Sequence, residues 1–126
     1  MSNPIDTAVS LWPPDKRGEI RQADIHGTKF NVIYTRAGYA RSGDVHPTPQ
    51  HDMIISGKWE ITYRENGKDL KMITGAGEHV VIPPQVAHIF LCLEDSVMIE
   101  WWEGEFTYEY DKEYRTRVDE INNRAR

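Results

Sequence analysis

The chain contains one cysteine, Cys92, so it cannot form a disulfide within itself. Its charge leans acidic, with a formal net charge of -5, and no basic stripe runs through it. That excludes a nucleic-acid backbone as the expected partner, because such binding needs clustered lysine and arginine. No apolar run is long enough to cross a bilayer as a helix. The first residues, with Pro4, Pro13 and Pro14 among polar neighbours, lack the apolar middle of a secretory signal. A cytoplasmic protein is the expectation. Internal repeats and low-complexity tracts are absent too. What remains is 126 residues, 39% hydrophobic and 10% aromatic, enough for one compact core.

Residues 1–18 read as an extended arm. Trp12 before Pro13 and Pro14 cannot lie inside a helix. We expect Leu11 and Trp12 to pack onto the barrel or onto a partner subunit. From residue 19 to 110 the pattern is one of short strands. Phe30, Val32 and Tyr34 alternate with Asn31, Ile33 and Thr35, and Trp59, Ile61 and Tyr63 alternate with Glu60, Thr62 and Arg64. Asn66-Gly67 marks a hairpin between two such runs. Pro83-Pro84 stops the strand that begins at His79, and Ser96–Trp102 forms a last strong strand. Residues 111–126 change period: Tyr114, Val118 and Ile121 recur at helical spacing, with Asp111 as N-cap and arginines near the end. Many short strands at regular spacing indicate a sandwich or a barrel.

Two segments carry the candidate chemistry. One is Gly43-Asp44-Val45-His46-Pro47-Thr48-Pro49-Gln50, followed by a strand and Gly57. The other is Gly77-Glu78-His79-Val80-Val81-Ile82-Pro83-Pro84-Gln85-Val86-Ala87-His88. Asp44 and His46 are two apart, so a strand presents them on one face. His88, Phe90 and Cys92 share a face in the same way. If both faces turn inward, two imidazoles, a carboxylate and an amide oxygen meet. Such a nitrogen–oxygen set suits divalent Mn, Fe, Co, Ni or Zn.

These segments resemble the two motifs of the cupins. Gly57 matches the closing glycine of the first motif, which puts Gln50 at the usual glutamate, His46 at the second histidine and Asp44 at the first. In the second motif Gly77, Pro83 and His88 are in register, with Gln85 in place of a glycine and Cys92 in place of an asparagine. The resemblance implies an all-β fold, a double-stranded β-helix or jelly roll, with the arm and the C-terminal helix added. It implies a homodimer. It also implies a metal held by Asp44, His46, Gln50 and His88, or else a metal-free pocket in which His46 and His88 act as general acid and base and Asp44 orients one ring. The expected function is proton transfer of the isomerase, epimerase or lyase type on a small polar, sugar-derived substrate. An iron-dependent dioxygenase and a non-catalytic binding module are the alternatives.

Other residues were weighed around that cluster. Tyr34, Arg36, Tyr63, Phe90 and Cys92 are expected to line the pocket, with Arg41 guarding its mouth and suiting an anionic ligand. His51 follows Gln50 and should face outward. His79 reads as a hydrogen-bonded strand residue, and Cys92 as a small apolar one, not a nucleophile. Of Trp101 and Trp102, one should face in and one out. Glu100 reads as solvated, and Glu103–Tyr110 as a solvated connection to the helix.

Overall fold

The computed structural model describes residues 9–125, which form nine strands and one helix. In order these are β1 (Val9–Leu11), β2 (Gly18–Ile25), β3 (Thr28–Thr35), β4 (Ala40–Val45), β5 (Gln50–Glu65), β6 (Lys68–Gly75), β7 (His79–Ile82), β8 (His88–Trp102), β9 (Glu109–Tyr110) and α1 (Lys112–Arg124). Every pairing is antiparallel.

Two long strands organise the molecule. The first half of β5 pairs with β7 and with the last residues of β8, while its second half pairs with β6 and with the first residues of β8. β5 and β8 therefore belong to two sheets at once. One is β1-β2-β3-β8-β5-β7, and the other is β9-β4-β8-β5-β6. The register slips between Ile54 and Trp59, where both strands bend from one sheet into the other. Gly57 makes the bend: its φ is +88°, and a Cβ there would meet the Asp95 carbonyl at 2.5 Å. The Asn66-Gly67 hairpin forms as the sequence predicts, with both residues at positive φ.

The core lies between the two sheets. Ile33, Ile54, Trp59, Ile61, Phe90 and Met98 are all buried there. In β3 the barrel takes in Asn31, Ile33 and Thr35, so Phe30, Val32 and Tyr34 face outward. A smaller cluster seats α1 on the outside of the second sheet, with Tyr114 and Val118 against Ala40, Ala87 and Ile89. Asp111 caps the helix, accepting from the Tyr114 amide, and pairs with Arg64 of β5. Asn122 exchanges two hydrogen bonds with the backbone of Ala40. The packing expected of the arm is not found on this chain's own barrel. Residues 1–8 lie outside the described part; beyond them, the Trp12 amide donates to Ile20, yet Leu11 and Trp12 stay exposed. The arm attaches to β2 by backbone pairing from Val9 to Leu11. Among the described residues no helix is long and apolar enough to cross a membrane.

Candidate metal centre

Asp44 ends up opposite His88 because β4 bulges at Ser42-Gly43. Gly43 permits the bulge with a φ of +84°, and a Cβ there would run into the backbone of Arg115 on α1 at 2.9 Å. His46 follows in the loop after β4, where its carbonyl accepts from the Gln85 amide. Gln50 opens β5 in the facing sheet. The two motifs, distant in sequence, thus meet inside one barrel.

Asp44 Oδ1 lies 3.3 Å from His46 Nε2 and 3.4 Å from His88 Nε2. Gln50 Oε1 lies 3.0 Å from His88 Nε2. The ligand-type atoms of Asp44, His46 and His88 all fall within 4.8 Å of one another. The hydrogen positions follow from the neighbours. His46 Nδ1 is 2.9 Å from the Thr107 carbonyl and His88 Nδ1 is 2.9 Å from the Val86 carbonyl. A carbonyl only accepts, so each Nδ1 carries the hydrogen and each neutral ring turns a lone pair at Nε2 into the site. Gln50 Nε2 donates to Asp52 at 2.8 Å and to Glu100 at 3.1 Å, which turns its Oε1 toward His88. Asp44 Oδ1 is buried and accepts no hydrogen bond. Four electron-rich atoms therefore converge there. One proton relieves one such contact, whereas a cation serves all four.

The electrostatics differ between the two rings. Burial lowers the pKa of His88 and outweighs the Asp44 charge. Burial also disfavours the charged form of His46, but there Asp44 and the Thr107 carbonyl together prevail and its pKa is raised. Behind Gln50, Asp52 and Glu100 face each other across β5 and β8, both buried. Burial raises the pKa of Glu100 well above the ordinary carboxylate range, and the Asp52 charge adds to the effect. Glu100 is thus an interior residue, contrary to the solvated position expected from its type. Its register partner Asn31 and the Asp52 row place it on the inner face.

A cleft of about 830 Å³ opens from this centre, lined by Asp44, His46, Arg41, Glu100 and Trp102 among others. Arg41 is not at the mouth but buried, donating to Thr35 Oγ1 at 2.6 Å and to the Tyr34 carbonyl at 3.1 Å. Burial, together with the Arg17 charge, lowers its pKa to about 10, so it stays cationic at neutral pH. The five residues expected to line the pocket are not among those that line this cleft. Tyr34 faces outward, and Arg36 reaches the carbonyls of Asp15 and Lys16 on the exterior. Tyr63 is half-buried opposite His88. Phe90 and Cys92 are packed in the core beneath the site. The Cys92 Sγ donates to the Glu94 carbonyl at 2.9 Å, and burial pushes its thiol up to about 11, so it is no nucleophile. Trp102 points in and Trp101 points out, where it stacks on His51. His51 also faces outward, bonded to His79 and Glu103. The segment after β8 is not a mere connection: Phe106, Tyr108 and Tyr110 line the cleft. Their alternation with Glu105, Thr107 and Glu109 was the signal that could have shown it.

The architecture matches solved structures over most of the chain. CapF, a capsular polysaccharide assembling protein from Staphylococcus aureus, aligns at a TM-score of 0.68 and 20% identity over 83% of this chain and 33% of its own. Oxalate decarboxylase from Bacillus subtilis aligns at 0.67 and 16% identity, over 80% of this chain and 28% of its own. Both are cupin-fold proteins. This chain has the cupin fold. A study of the same decarboxylase concerns its Mn(II) centres. The chain spans about a third of the length of these solved structures, and at these identities the likeness is one of fold. No family model matches this cupin-fold chain, and no curated protein matches it.

Proposed function

We propose that this cupin is a metal-dependent enzyme that moves a proton on a small anionic substrate, in an isomerisation, epimerisation or lyase-type reaction. The observation that carries the reading is the unpartnered, buried Asp44 Oδ1 facing the lone pairs of two histidines whose outer nitrogens are tied to backbone carbonyls. Asp44, His46, Gln50 and His88 would hold a divalent ion of the Mn, Fe, Co, Ni or Zn group, to which their nitrogen and oxygen donors are suited. When bound, that ion would polarise a substrate oxygen and ease the negative charge that develops on it. Arg41 supplies the complementary charge for the substrate's anionic group, held rigid by Thr35 and the Tyr34 carbonyl. Gln50 is kept in orientation by Asp52 and Glu100. Trp102 packs edge-on against His46 at 5.2 Å and shields it from water.

The test is metal analysis of protein purified without chelator, followed by incubation of candidate substrates in deuterated solvent. One equivalent of a divalent transition metal and deuterium incorporation are expected. Protein that takes up no such metal even when it is supplied would overturn the metal site. Oxygen uptake without deuterium incorporation would replace proton transfer with dioxygenase chemistry.

We also propose that the chain works as a homodimer through the outer face of β3, β8, β5 and β7. Val32, Met53, Ile55 and Val81 are exposed there, and their outward neighbours Val97, Ile99 and Trp101 carry no charge either. A second copy seated here would cover these apolar side chains, beside the His51–His79–Glu103 group on the same face. Light scattering should give twice the chain mass, and Val81→Lys should halve it; a monomeric wild type would end this reading.

A further inference from the structure

The residues after β8 build a wall that the candidate metal chemistry does not use. The rings of Trp102 and Phe106 are 4.3 Å apart, Phe106 stacks on Tyr108 at 5.7 Å, and Tyr108 meets Tyr110 at 5.1 Å. The series starts at His46, whose ring lies 5.6 Å from Phe106. A continuous aromatic surface thus runs from the centre to the outside along the cleft. Phe106, Tyr108 and Tyr110 remain 45%, 52% and 53% exposed. Apolar surface gathered in one concave place marks a binding site more often than a defect. Ile20, Ile33 and Trp12 line the same cleft from the arm, β2 and β3.

Several charged side chains line it, Arg17, Lys29, Asp44, Glu100 and Arg115 among them, and Arg41 is the buried cation. Arg41 pairs in register with Phe90, and Asp44 with His88, so the two stand two β8 positions apart, roughly 7 Å along the strand. Among the described residues no carboxylate forms a salt bridge with Arg41; its bonds go to a hydroxyl and a carbonyl. Asp15 and Glu100 act on it only from beyond bonding distance, so the buried guanidinium can take a ligand carboxylate directly.

We propose that the cleft binds aromatic carboxylates, with the carboxylate on Arg41 and the ring against the wall of Trp102, Phe106 and Tyr108. This rests on the reading of the cleft as the substrate site and names its substrate class. A sugar acid is the rival. Its hydroxyls would need partners around the whole ring, and one side of the cleft presents the rings of Trp102, Phe106 and Tyr108 instead. Hydroxyls laid against Ile20, Ile33 and the aromatic wall would lose their water without replacement. A flat apolar ring loses nothing there and gains offset or edge contacts with its neighbours.

The experiment titrates the full chain with benzoate, benzamide and glucuronate by calorimetry, with metal content measured on the same samples. Benzoate should bind about tenfold tighter than either of the others. Tyr108→Ala, a change at a half-exposed ring that leaves the Thr107 carbonyl beside His46 in place, should weaken benzoate several-fold and leave metal content unchanged. Arg41→Gln should erase the preference for benzoate over benzamide. Glucuronate binding as well as benzoate, or benzoate binding unaffected by Tyr108→Ala, would overturn the proposal. Metal-loaded protein that ignores benzoate sinks this inference alone, while metal-free protein that binds benzoate sinks only the metal reading.

Discussion

Two histidine pairs stand on opposite faces of the same sheet system, each beside an acid. Inside, His46 and His88 anchor their Nδ1 atoms to backbone carbonyls and leave both Nε2 atoms facing Asp44. Outside, His51 Nδ1 is 2.9 Å from His79 Nε2, and His51 Nε2 is 2.7 Å from Glu103. The composition is the same, but the outer pair has spent its ring nitrogens on each other and on a half-exposed carboxylate. The inner pair has spent only the nitrogens that point away. What distinguishes a ligand site is therefore where the second nitrogen of each ring is tied. A backbone carbonyl fixes the tautomer without using the inward lone pair.

The largest expected effect tests that contrast directly. His88→Ala should lower affinity for a divalent transition metal at least about 100-fold, whereas His79→Ala should leave it unchanged, as measured by competition with a chromogenic chelator. Equal losses would mean that the outer pair holds metal too. A milder pair of changes sharpens the comparison. Asp44→Asn keeps an oxygen but removes the charge, and should cost affinity about 10- to 100-fold, while Glu103→Gln should cost none. Smallest is the effect of an acid that serves only the fold. Asp111→Ala removes the cap of α1 and should cost about 1 kcal/mol in denaturant unfolding, with metal affinity intact. Arg64 holds the Asp111 pKa below its ordinary 3.8. Its folded-state pKa is thus the depressed one, so its contribution is present above pH 3.8 and is lost as acid titrates it. The gap between wild type and Asp111→Ala should narrow below that pH and stay constant above it.

Much of this was legible beforehand because the motif glycines and prolines have geometric duties that spacing reveals. Gly57 marks the bend of β5, Gly43 the bulge of β4, and the distances between Asp44, His46, Gln50 and His88 in sequence put them on inward faces. The facing of β3 was not legible, because its inner face is the more polar one: Asn31 and Thr35 turn in with Ile33, and Phe30, Val32 and Tyr34 turn out. Tyr34 and Arg36 were therefore assigned to the wrong side. Asp52 and Glu100 were obscured by their chemistry: type alone argues for solvent, and only the register Asn31–Glu100–Asp52 shows that they share an interior row. In residues 103–110 the glutamates drew attention from the rings alternating with them.

Gln50 belongs to one sheet and Asp44 and His88 to the other, and they meet far from the bend at which β5 and β8 join those sheets. An ion gripped by all of them would act as a clasp between the two layers at that end, adding to the Gln85–His46 backbone bond. Melting would then become linked to occupancy, and the temperature of unfolding would climb with the concentration of free cation. The barrel would report on its own ligand through its resistance to heat.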